Sequence, residues 1–159
     1  MKFKLWQWLR RWRTAGAVKV LLPILIAPDK RLLTRCKVLH TVTSRIDKLA
    51  ENMVETLHTS QGLGLAAPQV GQSVRLVVID IGEGARILLN PVILERDGLC
   101  LSDEGCLSMP GVIRRKTRWH RITYRYFDLA GNRIEESVEG VFAIVLQHEI
   151  DHLNGVLIA

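Results

Sequence analysis

Gly140-Val141-Phe142-Ala143-Ile144-Val145-Leu146-Gln147-His148-Glu149-Ile150-Asp151-His152-Leu153 is the stretch on which the reading of this chain turns. It is apolar over most of its length, and Asn154-Gly155 follows as a helix-ending pair, so it reads as one helix from Gly140 to Leu153. On a helix, Val141, Ile144, Val145, His148 and His152 share one stripe, while Leu146, Ile150 and Leu153 form another. A helix with two apolar stripes is buried, which puts its histidines inside the protein. Imidazoles at i and i+4 point the same way and can reach one metal ion. The glutamate between them projects beside that ion, close enough to act on a water there. Chance occurrence of His-Glu-x-x-His in a chain of 159 residues is about a one per cent event, and buried imidazoles need partners. The segment therefore points to a metal-dependent hydrolase.

A catalytic site of this kind takes three protein ligands and leaves one position open. Only seven residues follow His152, and none is His, Glu, Asp or Cys, so the third ligand is sought upstream. Cys106, in Glu104-Gly105-Cys106-Leu107-Ser108, is the natural candidate, because a thiolate binds zinc or ferrous iron well. A lone cysteine is ordinarily a small buried hydrophobe, and Cys36 and Cys100 are read that way. His40, His58 and His120 have no partner at ligand spacing and are read as surface or structural residues.

Outward from this centre, Thr43 and Ser44 are candidate N-caps for a helix running to about Ser60. Its stripe is Ile46, Leu49, Ala50, Met53, Val54 and Leu57. Glycines and small residues from Gln61 to Gln69 end that helix. Val18 to Ile26 reads as a buried first strand, Val74 to Ile81 as another, and Ile87 to Leu94 as a strand interrupted by the turn pair Asn90-Pro91. Ile122 to Phe127 and Arg133 to Val138 flank Asp128-Leu129-Ala130-Gly131-Asn132 as a hairpin. The expected fold is α+β, with mostly antiparallel sheets around the buried central helix that carries His-Glu-x-x-His.

The net charge of +6 invites a nucleic-acid partner, but it is concentrated. Lys2, Lys4, Arg10, Arg11 and Arg13 precede the first acid, Asp29, and Arg114, Arg115, Lys116, Arg118 and Arg121 form a second cluster. No nucleic-acid motif accompanies them, so a specific nucleic-acid partner is not expected, although general attraction to RNA, ribosomes or anionic membranes is compatible with them. Three cysteines without regular spacing point to a reducing compartment. The basic start and the apolar run Ala15 to Ala27 imitate a signal peptide, but Lys19 interrupts the run and Pro28 stands where cleavage would fall. Export is therefore not expected, and 13 residues are too few to span a bilayer. Trp6, Trp8 and Trp12 among cations suit a membrane surface. Residues 1–17 are read as a basic extension and 18–159 as one catalytic domain.

Three segments carry a more specific likeness. Gly62-Leu63-Gly64-Leu65-Ala66-Ala67-Pro68-Gln69, Glu104-Gly105-Cys106-Leu107-Ser108 and Gln147-His148-Glu149-Ile150-Asp151-His152 resemble the three signature motifs of peptide deformylases, in order and roughly in spacing. The resemblance runs from the Ala27-Pro28-Asp29 region to the C-terminus. It implies a monomeric cytoplasmic or organellar enzyme that removes the formyl group from the N-terminal methionine of N-formylmethionyl nascent peptides and releases formate. Cys106, His148 and His152 would hold one divalent metal, ferrous iron in the cell, with zinc, nickel and cobalt as alternatives. Glu149 would move the proton of the attacking water. Gln69 and the backbone N–H of Leu107 would stabilise the oxyanion. Backbone around Leu63, Gly64 and Gly105 would pair with the substrate peptide, and Val141, Ile144 and Val145 would line a pocket for the methionine side chain, a role that plain core would fill equally well. Two departures stand out: Pro68 occupies a variable position, and the chain stops at Ala159, where many members continue into a long helix. Ribosome proximity through such a helix is therefore not expected.

Overall fold

The structure is a computed structural model and describes residues 18–158, so the basic extension read over residues 1–17 lies outside the described residues. Five strands form one antiparallel sheet in the order of the chain: β1 (Gly64–Ala66), β2 (Leu76–Ile79), β3 (Arg86–Cys106), β4 (Met109–Phe127) and β5 (Arg133–Glu139). Two helices, α1 (Ser44–Thr59) and α2 (Val141–Leu153), complete the α+β fold expected from the sequence. Among the described residues no helix is long and apolar enough to cross a membrane.

The helices lie against opposite faces of the sheet, and strand alternation dictates this. On β2, Leu76 and Val78 pack into one core with α1, while Val77 and Ile79 pack into the other with α2. All four are buried, because a strand covered on both faces has no polar side. Thr43 caps α1, its side chain accepting from the Ile46 N–H, and the expected stripe faces inward: Ile46, Ala50, Met53 and Leu57 are buried, with Leu49 and Val54 at its margins. Met53 and Leu57 are fully buried, each contributing about 2 kcal/mol by leaving water. In α2, nine of 13 residues are buried. Its first turn is held by Phe142, whose ring centroid is 6.2 Å from that of Tyr124 and 4.7 Å from the Arg86 guanidinium.

Two expectations are corrected. Val18 to Ile26 is not a strand and is mostly exposed; it lies extended along α1. Its N–H groups go to α1 side chains and to loop carbonyls instead of a strand ladder: Leu22 donates to Thr56 Oγ1 at 2.9 Å and Leu25 to the Gln69 carbonyl at 2.7 Å. Asn90-Pro91 makes no turn. Asn90, at φ 50°, forms a bulge inside the continuous strand β3, and its side-chain amide makes both hydrogen bonds to the Leu39 backbone, at 2.7 and 2.8 Å. The cationic cluster of residues 114–121 is largely neutralised across the β3–β4 and β4–β5 ladders, where Arg115 meets Asp103, Arg118 meets Glu104, and Arg121 meets Glu139.

Candidate metal centre

β3 ends at Cys106 and β4 begins at Met109, so Leu107 and Ser108 form a tight hairpin turn that presents Cys106 at the end of its strand. α2 passes beside this turn. Its i and i+4 geometry brings His148 and His152 to Cys106, and the ligating atoms of all three lie within 4.8 Å of one another. Cys106 Sγ is 3.3 Å from His152 Nε2, which is 3.2 Å from His148 Nε2. The Nδ1 of His148 is 2.9 Å from Glu104 Oε2 and donates to it, and its Nε2 faces the other two. Two imidazole nitrogens and a sulfur facing one another at this distance is an arrangement that a cation satisfies.

The two imidazoles sit in opposite electrostatic settings. Burial works against charge on His148, but Cys106 and Glu104 beside it outweigh burial and push the imidazole up to about 10. Burial and the neighbouring His148 hold His152 down at about 3, keeping it a neutral donor. Charge is thus favoured on His148 and disfavoured on His152. A Cys/His/His set suits a borderline-soft divalent ion.

The centre opens into a cavity of about 510 Å³. Its wall includes Leu63, Gly64, Gln69, Gly105, Leu107, Val141, Ile144, Val145, Cys106, His148 and Glu149, so every candidate residue read from the sequence except His152 lines one space. His152 sits beneath, 1% exposed. Glu149 is 3% exposed and its Oε2 has no hydrogen-bond partner among the described residues. Burial pushes its carboxyl up to about 7, the range in which an acid can both take and give a proton near neutrality. Gln69, on the 3-10 turn Ala67–Val70, is oriented at both ends of its amide. Oε1 accepts from the Ala66 N–H at 2.9 Å, and Nε2 donates to Ser108 Oγ at 3.2 Å, 3.7 Å from Cys106 Sγ. Val141 is 55% exposed, so this member of the apolar group is at the mouth of the cavity and not in the core.

Sequence reasoning missed Glu104, Arg118, Asp151 and Ser108 as parts of the site. Glu104 and Asp151 stand inside the quoted motifs, and a buried acid beside a ligand was a signal that could have found them. Arg118 carried none, because only the β3–β4 register brings it opposite Cys100 and beside Glu104. His58, read as a surface or structural residue, pairs with Asp80 at 2.9 Å outside the site.

Comparison with known proteins agrees with the geometry. The family described as polypeptide deformylase matches residues 21–159. The chain is 45% identical over 141 residues to a peptide deformylase of Alkalilimnicola ehrlichii, covering 86% of this chain and 79% of that one. A crystal structure of peptide deformylase from Thermotoga maritima superposes with a TM-score of 0.86 at 42% identity, covering 87% and 95% of the two chains. One from Legionella pneumophila does so with a TM-score of 0.85 at 39% identity, covering 87% and 84%. Three motifs far apart in the sequence converge on one cavity, over a fold shared with these proteins, and the chain belongs to the polypeptide deformylase family.

Proposed function

We propose that this chain hydrolyses the formyl amide at the N-terminal formylmethionine of new polypeptides, releasing formate and a free amine. The convergence of Cys106, His148 and His152 beside the unpartnered carboxylate of Glu149 carries this reading. Cys106, His148 and His152 would hold a single divalent metal, ferrous iron in the cell and zinc, nickel or cobalt when those are supplied. When bound, the metal supplies Lewis-acid polarisation of the formyl oxygen and acidifies water.

The remaining steps belong to the chain's own side chains. Glu149 takes a proton from the attacking water, whose oxygen adds to the formyl carbon; the same carboxyl then returns the proton to the amine nitrogen as the C–N bond breaks. The amide nitrogen of Gln69 and the Leu107 N–H stabilise the oxygen that becomes negative, an effect worth about 3–4 kcal/mol per donor in comparable sites. The backbone of Leu63 and Gly64, at the sheet edge, and of Gly105 pairs with the peptide as an added strand. Val141, Ile144 and Val145 receive the methionine side chain. We read residues 18–159 as this catalytic domain and residues 1–17 as a basic extension suited to a membrane surface. A cytoplasmic, monomeric enzyme working on nascent chains is the expected setting.

Formate release from formyl-Met-Ala-Ser by the metal-loaded chain tests the proposal. Glu149→Ala is expected to keep its metal and lose turnover by more than about 10³-fold. Turnover retained in that variant would sink the mechanism.

A further inference from the structure

α2 carries two i, i+4 pairs offset by one residue. His148 and His152 turn toward Cys106, whereas Gln147 and Asp151, roughly 100° round the axis, turn toward β4. Gln147 accepts the Trp119 N–H at 2.9 Å and donates to the Trp119 carbonyl at 2.8 Å, pairing with β4 as the peptide group of a neighbouring strand would. One residue earlier, Arg118 is 8% exposed and bonded to three carboxylate oxygens. Its Nε reaches Glu104 Oε1 at 2.7 Å, Nη2 reaches Glu104 Oε2 at 2.8 Å, and Nη1 reaches Asp151 Oδ2 at 2.7 Å. The same Glu104 Oε2 accepts from His148 Nδ1 at 2.9 Å.

We infer that Arg118 is a positioning residue of the metal centre, fixing His148 through Glu104 and the helix that bears both histidines through Asp151. The inference rests on Cys106, His148 and His152 being the ligands. A guanidinium is planar, so three of its N–H groups hold Glu104 of β3 and Asp151 of α2 at one separation and one angle. Glu104 is 7% exposed, and Arg118 supplies the charge that lets its carboxylate stay buried beside His148. Held there, Glu104 fixes the tautomer and the ring plane of His148, so that Nε2 faces Cys106 and His152. An ammonium at the same place balances the charge but cannot grip two carboxylates from fixed directions.

The test uses the full chain loaded with cobalt(II). Release to excess EDTA is followed by the thiolate-to-cobalt absorption, beside the unfolding midpoint of each protein without metal. Arg118→Lys is expected to release cobalt about 10–100-fold faster than the unsubstituted chain and to alter the band, with its unfolding midpoint little changed. Asp151→Asn, which leaves the Arg118–Glu104 pair intact, is expected to speed release severalfold. Release from folded Arg118→Lys within about twofold of the unsubstituted rate overturns the inference. Should Arg118→Lys not fold, unchanged release from Asp151→Asn overturns it equally. Cys106→Ala separates the two levels: if it holds cobalt as tightly as the unsubstituted chain, the ligand assignment itself falls.

Discussion

Replacing Gly64 by alanine probes the tightest contact in the site. A Cβ built on Gly64 falls 2.5 Å from Glu149 Oε1, 2.9 Å from Glu149 Cδ and 2.8 Å from Val145 Cγ1. Ordinary contact between such atoms begins near 3.4 Å, so the Glu149 carboxylate must withdraw by about 1 Å. It cannot do so freely, being 3% exposed and enclosed between β1 and α2. Displacing a catalytic group by about 1 Å costs roughly 10²-fold in rate, near 2.7 kcal/mol of barrier. Backbone strain is not involved, because Gly64 lies in an ordinary strand outside the left-handed region. Gly64→Ala should therefore lose about 10²-fold in kcat/KM for formate release while keeping its metal and a near-normal Tm. Gly62→Ala is the control: its Cβ meets Leu107 Cδ1 and Leu57 Cδ1, at 2.9 and 3.0 Å, and touches neither Glu149 nor a metal-ligand side chain. A loss below about tenfold is expected there. If Gly64→Ala keeps kcat/KM within about threefold at full metal content, the placement of Glu149 against β1 is wrong.

Other outcomes follow from the same geometry. Gly155→Ala places a Cβ 2.5 Å from the Leu33 carbonyl oxygen at φ +76°, where backbone must move; it should destabilise by about 2–3 kcal/mol and lower Tm by about 5–10 °C, read by calorimetry. Met53→Ala empties a fully buried position of the α1 core, on the sheet face away from the metal centre. It should cost about 2–4 kcal/mol in urea unfolding and leave kcat/KM unchanged where the protein is folded. Burial alone would raise the Glu104 carboxyl, but Arg118 and His148 hold it down at about 2 against an ordinary 4.5. A carboxyl depressed on folding contributes in full above its unfolded value and loses that contribution as pH falls through its folded one. Stability should thus drop by on the order of 2–3 kcal/mol between about pH 4.5 and 2 through this group. The double variant Glu104→Gln/Arg118→Met should show a flatter pH dependence, and an unchanged slope would refute the assignment.

Much of the site was legible because helix geometry is local. The spacing of His148, Glu149 and His152 fixed their common direction without any tertiary knowledge, and the stripe and cap of α1 followed from the same periodicity. Cys106 needed one further step, the lack of a ligand downstream. The hairpin at Asp128–Asn132 was legible from its turn residues. The long ribbon of β3 and β4 was not: Leu99, Leu101 and Ile113 are exposed while Glu104 and Arg118 are buried, which inverts the pattern that sequence reading relies on. Its register depends on pairing between residues ten or more positions apart, such as Asp103 with Arg115 and Glu104 with Arg114. Val18 to Ile26 misled for the opposite reason. It has a strand's composition, but its backbone is satisfied by α1 side chains that no local pattern announces.

The pairing of Gln147 with the Trp119 backbone has a consequence for how this helix tolerates change. Position along α2 and rotation about it are read at the same point, because the amide that imitates a strand's peptide group is next to a ligand. A slip of one residue would turn the helix by about 100°. One way, Gln147 and Asp151 would face Cys106 and Leu146 and Ile150 would face β4; the other way, the imidazoles would face β4 and Glu149 and Leu153 would face Cys106. Insertions or deletions within α2 should therefore remove both imidazoles from Cys106 at once instead of degrading the site gradually, so variation in length belongs in the turns that flank the helix.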